Sequence, residues 1–127
     1  MIASSARRAF VALLLIALSV TASGAADEKL RPVKNPVPAS AFMLRDLNGK
    51  LTGLGDFEGK VMLLNFWATW CANCIKEMSA IQQLYQTYGA EGFVVVGVSV
   101  DHSATGEVKA FAEKLKISFP ILHDRDS

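Results

Sequence analysis

Cysteine is scarce in this chain, with two among 127 residues. That number is too small for a framework of stapling bridges, so a small fold held together by disulfides is excluded. Histidine is as scarce, with His102 and His123 alone. They stand 28 and 49 positions after Cys74 with 21 between them, unlike the compact His-x₃₋₅-His half of a zinc finger, so no metal site is expected. No cofactor is expected either. Charge of one sign is also missing: the formal net charge is +1, and no basic excess points to a nucleic-acid partner. Internal repeats and low-complexity tracts are absent.

Long apolar runs are missing except at the N-terminus. Arg7 and Arg8 precede the run from Ala9 to Val20, and the small residues from Thr21 to Ala26 follow it, which is the order of a secretory signal: basic, apolar, small. Cleavage after Ala25 or Ala26 suits the small-residue rule. The run falls short of the ~20 residues a spanning helix prefers, yet continued through Ala26 it nearly reaches that length, so residues 1–26 read as a signal peptide or an uncleaved anchor. The segment Arg7-Arg8-Ala9-Phe10-Val11 also resembles a twin-arginine export signal. No cysteine follows the run, which excludes a lipid-modified N-terminal cysteine. Without residues 1–26 the chain has 11 basic and 12 acidic residues. A periplasmic or otherwise extracytoplasmic location is expected, where a disulfide persists. A lone pair of cysteines there is more apt to be worked than structural.

Residues 27–40, broken by Pro32, Pro36 and Pro38, read as an extended linker. Residues 41–127 suit one small domain. Phe42-Met43-Leu44 and Leu51-Thr52-Gly53-Leu54 flank Asn48-Gly49 and predict a β-hairpin. Val61 to Trp67 and Phe93 to Val100 are apolar without alternation, as in strands covered on both faces. Between them Ile75, Met78, Ile81, Leu84, Tyr85 and Tyr88 recur at helical spacing, so the stretch predicts a right-handed parallel βαβ unit, with Gly89 placed to cap the helix. A second helix is predicted with Val108, Phe111, Ala112 and Leu115 on one face, and another extended segment over Ile117–Leu122.

Both cysteines lie in Trp67-Ala68-Thr69-Trp70-Cys71-Ala72-Asn73-Cys74, where the first strand of that unit gives way to its helix. Two cysteines three residues apart at a helix start can close a small ring. The first thiol faces unpaired N–H groups and the positive end of the helix dipole, which favour its thiolate. Cys71 is thus the candidate nucleophile toward a substrate disulfide, and Cys74 the thiol that resolves the mixed disulfide. Two unreactive core cysteines are the bland reading, against which the flanking Trp67 and Trp70 and the strand-to-helix position argue. In parallel sheets functional residues gather beyond the carboxyl ends of the strands, which places Asp101 and His102 near the pair if the two strands are neighbours. His102 is then a candidate proton carrier, while His123 carries less signal.

The chain resembles the TlpA/ResA-type group of exported thioredoxin-like thiol–disulfide oxidoreductases from about Phe42 to Asp124. The resemblance rests on Leu44-x-Asp46-Leu47-Asn48-Gly49-Lys50, Asp56-Phe57-Glu58-Gly59-Lys60, Leu64-Asn65-Phe66-Trp67-Ala68-Thr69-Trp70-Cys71-x-x-Cys74, Lys76-Glu77-Met78 and Val96-Gly97-Val98-Ser99-Val100-Asp101. It implies an α/β thioredoxin-like fold, with Cys71 the exposed nucleophile, Cys74 the buried resolving thiol and Trp70 shielding one side of the pair. Members reduce disulfides of exported proteins, including the haem-binding cysteines of apocytochrome c, and draw electrons from a membrane protein of the thiol-reducing relay. Ala72 and Asn73 stand where relatives often carry proline or glutamate, and Ser79 replaces a helix-kinking proline. Asn65 aligns with the buried aspartate of thioredoxin, which leaves Glu77 as the nearest acid in sequence. Peroxide-reducing relatives resemble Pro-x-x-x-(Thr/Ser)-x-x-Cys, where this chain has Leu64 and Ala68. After Leu122 no Gly-x-Pro-Thr-like segment follows. The expected domain is therefore incomplete, without the C-terminal β-hairpin and last helix, and its Cys71-bearing strand has an open edge. A binding module that keeps the fold without turnover, or a non-functional fragment, is the alternative to an active enzyme.

Overall fold

The computed structural model describes residues 33–126. The expected signal or anchor at 1–26, and the linker as far as Pro32, lie outside them. Every regular element among the described residues belongs to one compact unit, Pro38–Ser127.

That unit opens with the hairpin of β1 (Met43–Asp46) and β2 (Leu51–Gly53), paired with Leu44 opposite Thr52. Its turn closes because Asp46 Oδ1 accepts the N–H groups of Asn48 and Lys50 at 2.8 and 2.9 Å, while Gly49 takes φ 86°, where a side chain would be strained. A single 3₁₀ turn, Leu54–Phe57, leads to β3 (Val61–Trp67). Then come α1 (Ala72–Tyr88), β4 (Phe93–Ser99), α2 (Thr105–Lys114) and β5 (Ile121–His123). The five strands lie in the order β2-β1-β5-β4-β3. β3, β4 and β5 run parallel, and β1 meets β5 antiparallel. The predicted βαβ unit is present, with β3 and β4 paired along seven residues from Val61–Phe93 to Trp67–Ser99. Among the described residues β3 lies at one edge of the sheet.

Alternation along the strands divides the core. Trp67, Val95 and Ile121 pack with Met78 of α1 and Val108 and Ala112 of α2, whereas Val94, Val96, Val98 and Leu122 form a second cluster with Phe42, Leu44 and Phe57. Gly97 lets the first cluster close. A Cβ there would meet Phe119 Cε2 at 3.0 Å and Trp67 Nε1 at 3.2 Å, so both rings lie against bare backbone.

Two expectations need correction. Leu84 and Tyr88 are 43% and 45% exposed, and Gln82 is buried in their stead, because the inward stripe of a 3.6-residue helix runs Ile75, Met78, Ile81, Gln82, Tyr85. Its amide is satisfied by Ser118, with Nε2 donating to Oγ at 2.7 Å and Oε1 accepting from N–H at 2.8 Å. Gly89 caps α1 as expected, its N–H donating to Tyr85 O, and the left-handed residue is Gly92 at φ 88°, one 3₁₀ turn later. The last strand begins at Ile121 rather than Ile117. Lys116, at φ 57°, ends α2 with its N–H on Glu113 O at 2.9 Å and the Ile117 N–H on Ala112 O at 3.1 Å, which diverts 116–120 from the sheet.

Candidate active site

The site is built where β3 stops. Trp67, its last residue, is 1% exposed and stacks on Phe111 with ring centroids 6.3 Å apart. Its carbonyl accepts the Val100 N–H at 3.0 Å, which fastens the end of β3 to the end of β4. The loop Ala68–Trp70 then turns through a Cys71 N–H to Ala68 O bond of 3.0 Å and delivers Cys71 to the N-cap of α1. Cys71 Sγ accepts the Cys74 N–H at 3.3 Å, so the sulfur caps one of the unpaired donors of the helix. Cys71 and Cys74 are joined as a disulfide with Cα atoms 5.3 Å apart, a usual separation for a bridged pair.

Both cysteines are half-buried, and Cys74 is the one that packs against the cluster of Trp67 and Met78. Trp70 stands 74% exposed, directly before Cys71. Glu77 lies on the exposed side of α1. Asn65 shares the sheet face of Leu63 and Trp67 by strand alternation, with a buried Nδ2 that has no protein hydrogen-bond partner. His102 turns elsewhere: its Nδ1 donates to Arg125 O at 3.0 Å on the exposed surface.

The acid that reaches the loop is Asp101, which is 2% exposed. Its carboxylate accepts the Thr69 N–H at 3.1 and 3.0 Å, the Thr69 hydroxyl at 2.6 Å and the Ser99 hydroxyl at 2.7 Å. Behind it His123 Nε2–H donates to the Asp101 carbonyl at 2.7 Å, and the other ring nitrogen pairs with Thr105 Oγ1 at 3.0 Å. In the neutral ring that fixes the tautomer, with Nδ1 accepting from the Thr105 hydroxyl. Burial is the largest influence on the Asp101 carboxyl and pushes it up. The Thr69 hydroxyl, the Ser99 hydroxyl and the Thr69 N–H, with a smaller attraction from His123, together outweigh burial and hold it below the usual carboxylate range. Sequence reasoning placed Asp101 beyond β4 but assigned the role there to His102. The available signal was a short acid after a parallel strand beside the nucleophile's own strand.

The profile of the AhpC/TSA family matches residues 33–127. The chain is 36% identical over 119 residues to the thiol-disulfide oxidoreductase ResA of Geobacillus thermodenitrificans, covering 94% of this chain and 68% of that protein. It is 43% identical over 89 residues to the thioredoxin-like protein YneN of Bacillus subtilis, covering 68% of this chain and 52% of the other. Among solved structures, a thiol:disulfide interchange protein from Chlorobium tepidum superposes with a TM-score of 0.64 at 29% identity, over 73% of this chain and 63% of that one. The thioredoxin domain of a thiol-disulfide oxidoreductase from Bacteroides vulgatus gives a TM-score of 0.64 at 31% identity, over 69% and 63%. The chain thus spans about half to two thirds of the length of these proteins.

Proposed function

The chain belongs to the AhpC/TSA family, and we propose that it is a thiol–disulfide oxidoreductase that reduces disulfides of exported proteins. The observation that carries this reading is the place of the cysteine pair: Cys71 is the N-cap of α1, its sulfur accepts the Cys74 N–H, and the pair closes within one turn. In the reduced form the same donors and the helix dipole stabilise a thiolate on Cys71. That thiolate attacks one sulfur of a substrate disulfide, and the other sulfur leaves as a thiolate that takes a proton. The Cys74 thiolate then attacks Cys71 Sγ, closing the Cys71–Cys74 bond and releasing the second substrate sulfur. The substrate gains two electrons, and a donor must return two to the pair.

Exposed Trp70, directly before Cys71 in the chain, gives an apolar surface on which a substrate chain can rest. The haem-binding cysteines of apocytochrome c are the proposed substrate class, and a membrane protein of the thiol-reducing relay is the proposed donor. Residues 1–26 serve in this reading as export signal or inner-membrane anchor, which places the domain in the periplasm. The names of the ResA relatives support the chemistry, and the basic-apolar-small order of 1–26 supports the location. Peroxide reduction fits less well, since Leu64 and Ala68 occupy the places of the proline and the hydroxyl residue expected before a peroxide-reactive cysteine.

Trapping tests the proposal. Reduced Cys74→Ser mixed with oxidised apocytochrome c is expected to accumulate a covalent adduct that dithiothreitol cleaves, and Cys71→Ser to give none. Adducts through Cys74 alone, or none in either variant, would contradict the assigned roles.

A further inference from the structure

We propose that Asp101 is a positioning residue for the nucleophile: its carboxylate holds the Ala68–Trp70 loop so that Cys71 Sγ stays against the N–H groups that open α1. The inference rests on the reading of Cys71 as nucleophile. Three loop residues separate the end of β3 from Cys71, and in the middle one both the N–H and the hydroxyl donate to Asp101. The flanking backbone is tied at both ends, by the Val100 N–H on Trp67 O and the Cys71 N–H on Ala68 O.

The carboxylate is itself held from behind. Ser99 Oγ donates to Asp101 Oδ2 and accepts the Asp101 N–H at 3.3 Å, while His123 clamps the Asp101 carbonyl and reaches Thr105 in the first turn of α2. A continuous run of hydrogen bonds therefore leads from α2 through β5 and β4 to the loop that carries the sulfur. Once the disulfide opens, no covalent link keeps Cys71 Sγ near the helix donors, and the set of the loop decides whether it stays there.

Position and charge act in opposite directions on Cys71, which makes the role testable. Removing a nearby anion favours the thiolate, whereas loosening the loop lets the sulfur drift from the N–H groups that stabilise it. The full chain is reduced, freed of reductant and alkylated with iodoacetamide at pH 7, and the rate at Cys71 is read by peptide mass. Asp101→Asn keeps the shape but turns an amide toward the Thr69 N–H, and its Cys71 is expected to react about two- to fivefold more slowly than wild type, the scale of a lost helix-terminus interaction. Thr69→Val is expected to show a smaller loss that Thr69→Ser restores.

A carboxylate that served stability alone would lower the unfolding midpoint of Asp101→Asn and leave that rate unchanged. An unchanged or faster rate in folded Asp101→Asn overturns the positioning role. Should Asp101→Asn fail to fold, equal rates in Thr69→Val and Thr69→Ser overturn it in the same way. Wild-type Cys71 reacting no faster than Cys74 would overturn the oxidoreductase reading and this role with it, whereas fast wild type with unchanged variants overturns the role alone.

Discussion

At the scale of single residues, the chemistry of the site is shared between a pair that announces itself and an acid that does not. Cys71 and Cys74 are legible because their spacing and the strand-to-helix switch are local features. Asp101 is not, because its bonds to Thr69 span 32 residues and the bond from His123 spans 22, and contacts of that range leave no periodic trace in sequence. Asp101 also makes a pH prediction. Its carboxyl is held below the usual range in the folded protein, so it contributes stability that is fully present above the unfolded value, about pH 4, and is lost as the pH falls through the folded value. Asp101→Asn should therefore be less stable than wild type at pH 7, with the gap narrowing toward pH 3. Urea unfolding at both pH values reads this, and a gap of equal size at both would contradict it.

At the scale of elements, local rules carried most of the architecture. The Asn48-Gly49 turn, the unbroken apolar runs of β3 and β4 and the helical spacing of Val108, Phe111, Ala112 and Leu115 each name their element without reference to the rest of the chain. Errors arose where an element ends or where a polar side chain is buried. Gln82 reads as a surface residue, yet Ser118, 36 residues away, satisfies its amide in the interior. Lys116 carries no signal in sequence of the left-handed position that it occupies to close α2. That conformation costs a residue with a Cβ on the order of 1 kcal/mol, part of which glycine returns through its freer unfolded state. Lys116→Gly is expected to stabilise the domain by about 0.5 kcal/mol. Thermal unfolding measures it, and a lowered midpoint would mean that the lysine stem supports the turn.

At the scale of the whole molecule, the sheet brings the carboxyl ends of β3, β4 and β5 together, and it does so through pairings the sequence order conceals. β5, the last of the described strands, inserts between β1 and β4, which sets His123 behind Asp101 and Asp101 beside the loop that bears the sulfur. The site is assembled at one end of the sheet, while β3 remains at its edge with Val61 and Phe66 71% and 59% exposed. The described elements set Cys71 at the start of α1, and that placement is expected to give the pair a defined redox chemistry. The measurement that tests this most directly is the reduction potential of the Cys71–Cys74 pair, equilibrated in defined thiol buffers and read by alkylation and mass shift. A single midpoint near that of thioredoxin, about −270 mV, is predicted for a reductant. A midpoint near −120 mV, that of a disulfide donor, or no defined midpoint at all, would contradict it.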